Sequence, residues 1–100
     1  MDTFSGSQRR FLRGAAHGLK PAVHLGKEGL TDGVVEAIDA SLAAHELIKV
    51  KLLTDRDGRS ELIPEIERRL DCECVGSVGH MAILFRRHPD PEQQTINLPG

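Results

Sequence analysis

One hundred residues, 39% of them hydrophobic, fit a single domain with one modest core. With no Tyr or Trp and only three Phe, that core must rest on Leu, Ile, Val and Ala, and a net charge of -2 argues against a chain coated all round in positive charge. No apolar run approaches the ~20 residues of a membrane span, and the opening MDTFSGSQRRFLRG has no apolar centre of a secretory signal, so a soluble cytoplasmic protein is expected.

Ser5-Gly6-Ser7-Gln8 fits a capping box at the start of a first helix. On its wheel Phe11, Leu12, Ala15, Ala16 and Leu19 fill one broad arc, while Arg9, Arg10, Arg13 and His17 fill another. Gly18 and Lys20-Pro21 stop the helix, because a residue before proline avoids the helical region. Ala22 to Leu25 then reads as a short strand, followed by Gly26-Lys27-Glu28-Gly29 and a second helix capped by Thr31. In that helix Val34, Val35, Ile38 and Leu42 share an arc, and it ends near His45. Leu47 to Leu53 alternates, with Ile48, Val50 and Leu52 on one face and Lys49 and Lys51 on the other.

TDRDGRS reads as a turn-rich loop. Leu62, Ile63, Ile66 and Leu70 mark a third amphipathic helix, in which Pro64 requires either a start near Ile63 or a distorted first turn. Residues 72–78 and 81–86 read as two strands joined by a tight Gly79-His80 turn. The tail HPDPEQQTINLPG looks loosely held, with Ile96 and Leu98 able to dock. The order is α-β-α-β-α-β-β: a two-layer mixed α/β sheet in which helical crossovers make the first three strands mostly parallel and the hairpin adds an antiparallel fourth. Residues 1–88 form the expected domain and 89–100 its tail.

Catalytic signals are poor. His17, His24, His45, His80 and His88 are scattered, and no G-x-S-x-G, H-E-x-x-H or Walker loop occurs. Asp55 and Asp57 suit a turn better than a cation loop. Cys72 and Cys74 on a strand place two small thiols on one face, as buried hydrophobes rather than half of a zinc site. No enzyme activity, cofactor or metal is expected.

What remains is a charge pattern. Residues 1–30 carry Arg9, Arg10, Arg13, Lys20 and Lys27 against Asp2 and Glu28, a net +3, while residues 31–75 carry a net -5. Segregated charge makes a patch where the total cannot. Within the positive segment, Gly26-Lys27-Glu28-Gly29 stands at a strand-to-helix junction. Glycines let a phosphate approach the backbone, exposed N–H groups at the next helix favour an anion, and Lys27 adds a cation. The G-x-x-G shape clamps RNA backbone elsewhere, yet the pattern alone suits a plain turn equally well, and Glu28 opposes phosphate.

The stretch SGSQRRFLRGAAHGLKPAVHLGKEGLTDGVVEAIDASLAAHELIKVKL resembles the YhbY-like proteins, whose domain is named CRM, for chloroplast RNA splicing and ribosome maturation. The signposts are Gln8-Arg9-Arg10-Phe11-Leu12-Arg13, His17, Leu19-Lys20-Pro21, Gly26-Lys27-x-Gly29, Gly33 and His45-Glu46-Leu47-Ile48-Lys49-Val50. VGSVGHMAILFRR resembles the family's closing hairpin and INLP its terminal motif. The resemblance implies a fold similar to the C-terminal domain of translation initiation factor 3. It also implies RNA binding through the G-x-x-G loop and adjoining basic surface, and association with precursors of the large ribosomal subunit. Carried onto this chain, the RNA-binding residues are Gly26, Lys27, Glu28, Gly29, Arg9, Arg10 and Arg13, with Lys20, Lys49 and Lys51 steering the strand. The chain departs from the family at Glu28, where a neutral or small residue is usual. It departs also at Ser7, Gly18 and Phe85, where lysine, histidine and tyrosine are common.

Ribosomal RNA is the expected partner, with ribosomal proteins as further candidates, for a protein expected to be monomeric. The competing reading is a protein-docking module that meets a basic ribosomal protein through the acidic middle of the chain.

Overall fold

The computed structural model describes residues 4–99. Three helices, α1 (Gly6–Ala15), α2 (Asp32–His45) and α3 (Arg56–Leu70), accompany four strands, β1 (Pro21–Leu25), β2 (Leu47–Leu52), β3 (Glu73–Val78) and β4 (Met81–Phe85). The strands form one sheet in the order β1-β2-β4-β3. β1 runs parallel to β2, while β4 lies antiparallel to both β2 and β3. The first three strands therefore point the same way, as the crossovers require, but β4 inserts between β2 and β3. Its unbroken run MAILF suits that central place, since a strand covered on both faces needs apolar side chains in both directions.

Strand alternation builds two cores. Ile48, Val50, Leu52, Ala82 and Leu84 face α2 and α3, where they bury with Leu25, Ile38, Leu42, Ile66, Leu70 and Cys72. Leu47, Ile83, Phe85 and Val75 face the opposite way, against Leu12 of α1 and Ala16 just past its end. Each Val, Leu, Ile or Phe among them contributes roughly 1.5–3 kcal/mol when fully removed from water. The sheet and the α2/α3 pair make the two expected layers, and α1 covers part of the other sheet face. Only Leu12 and Ala16 of its predicted apolar arc are buried; Phe11 and Leu19 remain 43% and 40% exposed. Phe4, Ile96 and Leu98 pack around that cluster instead.

Local signals set the helix starts. Ser5 and Gln8 form the reciprocal capping box of α1. Thr31 accepts from the Val34 N–H at the start of α2. The third helix corrects the expectation: it neither starts near Ile63 nor leaves TDRDGRS as a loop. Asp55 accepts from the Gly58 N–H at 2.8 Å, caps α3, and leaves Pro64 inside the helix. The cap outweighs the proline because Leu62, Ile63, Ile66 and Leu70 all pack on the core side, so tertiary burial offsets one missing backbone bond.

The tail is a second correction. Buried Glu46, at the end of α2, accepts from the backbone N–H groups of His88, Thr95 and Ile96 at 2.7, 2.6 and 3.0 Å. The tail is thus fastened to the domain at its middle, and Leu98 packs beyond that point. No helix among the described residues is long and apolar enough to cross a membrane.

Candidate nucleic-acid interface

The G-x-x-G loop leaves β1 beside the end of β2, where the Leu53 N–H donates to the Leu25 carbonyl at 2.8 Å. Gly29 donates back to Gly26 at 3.1 Å and closes the turn. Its φ of +69° is the left-handed conformation that glycine adopts without strain. Lys27 and Glu28 are exposed at the tip, and neither their side chains nor their N–H groups have a partner among the described residues. The following helix start is less available than its sequence suggests. Thr31 already satisfies one N–H, Asp32 adds a carboxylate to the first turn, and Arg69 donates to the Leu30 carbonyl. Anion capacity at this end therefore rests on the turn's own N–H groups and Lys27.

β1 and β2 extend a basic strip away from that loop. Lys49 and Lys51 share the α1 side of the sheet with Leu47, beyond the part that α1 covers. His24 stands opposite Lys51 and Pro21 opposite Lys49 in the parallel ladder. The Lys49 ammonium donates to the His17 carbonyl at 3.3 Å, which ties the strip to the end of α1, next to exposed Lys20. Lys20, Lys27, Lys49 and Lys51 have no ion-pair partner among the described residues. The structure brings Lys49 and Lys51 onto one face, with Lys20 at its α1 end, whereas Lys27 stands on the turn and lines the cleft toward α3. His24, which sequence reasoning passed over, joins the two strand lysines because strand pairing puts it beside Lys51.

The predicted arginine face divides. Arg9 pairs with buried Glu73 and donates to the Cys74 carbonyl at 3.1 Å. Arg13 donates to the Val75 carbonyl at 3.0 Å. It lies over Gly76, where a Cβ would fall 2.5 Å from Arg13 Cδ. Both arginines satisfy carbonyls of the outer strand β3, a role that a helix wheel does not reveal. Arg10 stays exposed. Val75 faces α1 by simple alternation with Glu73, and a register shift between Cys74 and Gly76 then sets Gly76 opposite Ile83, on that same side and beneath Arg13.

Acids gather on the other flank of the loop. A cleft of about 580 Å³ separates the turn from the first half of α3, lined by Gly26, Lys27, Leu53, Asp55, Glu61 and Leu62 among others. Cys72 and Cys74 pack in the α2/α3 core as expected, and burial pushes the Cys72 thiol up to about 12. No group of three or more His, Cys, Asp or Glu suited to a metal occurs among the described residues.

Residues 4–86 match the model of the CRS1/YhbY (CRM) domain. An RNA-binding protein of Haemophilus influenzae is 42% identical over 100 residues, covering 99% of this chain and 98% of its own. A probable RNA-binding protein of Pseudomonas aeruginosa is 37% identical over 91% of this chain and 88% of its own. The probable RNA-binding protein YqeI of Bacillus subtilis is 31% identical over 95% of this chain and 98% of its own. Among solved structures, a Staphylococcus aureus protein for which RNA binding is proposed superposes with a TM-score of 0.83 at 32% identity, covering 97% of this chain and 100% of that one.

Proposed function

The chain belongs to the CRS1/YhbY (CRM) domain family, and on that premise we propose that it binds RNA, with ribosomal RNA in precursors of the large subunit as its target. The observation that carries the proposal is the pair Lys49 and Lys51 on the open sheet face, with Lys20 at one end and, at the other, a glycine turn that carries Lys27 and free N–H groups. Phosphates along one strand meet the lysines, and the turn at Gly26 and Gly29 admits the backbone closely. Arg10 and the remaining donors of Arg13 extend the field past the helix, whereas Arg9 acts on the fold through Glu73. In this reading residues 1–88 are the RNA-binding domain, and the protein acts by binding in the cytoplasm, without catalysis. With no Tyr or Trp to stack on bases, recognition leans on phosphate and shape. The ribosomal target follows from the family resemblance.

Sedimentation of cell extract tests target and loop together. Co-migration with large-subunit precursors, lost on Lys27→Glu and strengthened on Glu28→Asn, is the expected result. Free protein at the top of a low-salt gradient rejects the ribosomal target.

One observation favours a second reading, a protein-docking module for a basic ribosomal protein: α2 exposes Asp32, Glu36 and Asp39 and contains no Lys or Arg. Neutralising Asp32 and Glu36 separates the two, because only docking through α2 loses ribosome association. Glu67 is unsuited to that test, since it accepts from the Cys74 N–H at 2.9 Å.

A further inference from the structure

The loop proposed above to hold phosphate faces three carboxylates across a roomy cleft. Its volume of about 580 Å³ falls within the ~300–1,000 Å³ of small-ligand clefts. One side is the turn, with Gly26, Lys27 and Gly29; the other is the start of α3, with Asp55, Gly58, Glu61, Leu62 and Glu65. Leu53, 48% exposed, and half-buried Leu62 supply apolar surface between them.

The three acids differ in what they have left to give. Asp55 is occupied in capping the Gly58 N–H, and Glu65 lies 3.8 Å from Arg68. Glu61 has no partner among the described residues. A phosphate is repelled from this wall and drawn to Lys27. A group that is flat, uncharged and rich in hydrogen-bond donors meets the opposite preference. A nucleobase with an exocyclic amine has that chemistry, because a carboxylate accepts from the amine of cytosine, adenine or guanine, whereas uracil has no amine and presents carbonyl oxygens in its place.

We infer that the cleft between the G-x-x-G turn and α3 receives one unpaired nucleobase, amine-bearing in distinction from uracil, and that its amine donates to Glu61 while its phosphate stays on the Lys27 side of the turn. The inference rests on the RNA-binding reading and adds a base preference to a surface that otherwise reads only backbone. The carboxylates then have a function in an RNA site: they confine the strand to one side of the loop and turn the base inward. The exposed leucine takes part of the stacking area that aromatic rings supply elsewhere.

Fluorescence anisotropy with labelled homopolymeric oligoribonucleotides of equal length, at one fixed salt concentration, tests this. The expected result is that cytidine and adenosine oligomers bind about tenfold more tightly than the uridine oligomer. Glu61→Gln is expected to bring that ratio close to one, since an amide both donates and accepts, and the exposed position leaves folding intact. Methyl resonances of Leu53 and Leu62 should shift on addition of the cytidine oligomer. Equal affinity for the three oligomers overturns the inference, as does a ratio unchanged in Glu61→Gln. Failure to bind any oligomer, by a protein that still co-migrates with ribosomal precursors, also overturns it and leaves the RNA-binding reading in place.

Discussion

Arg9 donates to Glu73 and to the Cys74 carbonyl, whereas Lys51, on the same side of the sheet, has no ion-pair partner among the described residues. Glu73 is only 8% exposed, so removing Arg9 strands a buried carboxylate. Arg9→Ala should destabilise the fold by about 1–3 kcal/mol in urea denaturation and leave the RNA affinity of the folded protein nearly unchanged. Lys51→Ala should do the reverse. Equal loss of affinity in both variants would place Arg9 in the interface after all. Glu46 poses a different residue-scale question. Burial works to raise its pKa, but the His88, Thr95 and Ile96 N–H groups and the Thr95 hydroxyl outweigh that and hold it below its ordinary value. A depressed folded value means that its contribution is complete above the unfolded value of 4.5 and fades as pH falls through the folded one. Amide exchange at Thr95 and Ile96 should therefore accelerate, relative to the sheet amides, as the pH is taken down below 4.5 and before the sheet opens. Protection that holds through that range would show that Ile96 and Leu98 alone retain the tail.

At the scale of elements, α3 holds a proline in its interior and still forms, because Asp55 caps it and one face is buried. Pro64 is exposed and has no N–H to complete the bond within its own turn. Pro64→Ala should raise stability by about 1–3 kcal/mol, read as a higher denaturation midpoint at an unchanged slope. A fall in stability would mean that the proline's restriction of the unfolded chain outweighs the lost bond. The helix start also explains where sequence reading stops. Asp55 in DRDG serves a turn and a helix cap equally well, and only the docking of Leu62 and Ile66 beneath the sheet selects the cap. For α1 the capping box was legible from Ser5 and Gln8, but the partner of each arginine was not, since Arg9 and Arg13 meet a strand more than sixty residues away, Arg13 at its bulge.

Across the whole molecule, a small net negative charge conceals two unlike sides. The open half of the sheet carries Lys49 and Lys51, with Lys20 beside it, and leads to the Lys27 turn, while α2 carries Asp32, Glu36 and Asp39 with no Lys or Arg and α3 mixes its acids with four arginines. Such an arrangement orients a polyanion as it approaches and limits the contact to one face. If the four lysines each neutralise one phosphate of a single strand, log affinity should fall against log salt with a slope of about -3. Charge reversal of Lys49 and Lys51 together should flatten that slope by roughly half. A salt-independent affinity would contradict phosphate contact by this face.

Local chemistry was enough to write the element order and the strand faces: the capping box at Ser5, the alternation of Leu47 to Leu52 and the glycine turns at Gly29 and Gly79 each act within a few residues. The candidate loop was legible for the same reason. Pairing and docking decided the remainder. The place of β4 between β2 and β3, the grip of Glu46 on the tail and the division of the N-terminal arginines all depend on groups far apart in the chain. A helix wheel shows which side chains share a face, but only the packed sheet supplies the carbonyl or carboxylate that takes up their charge.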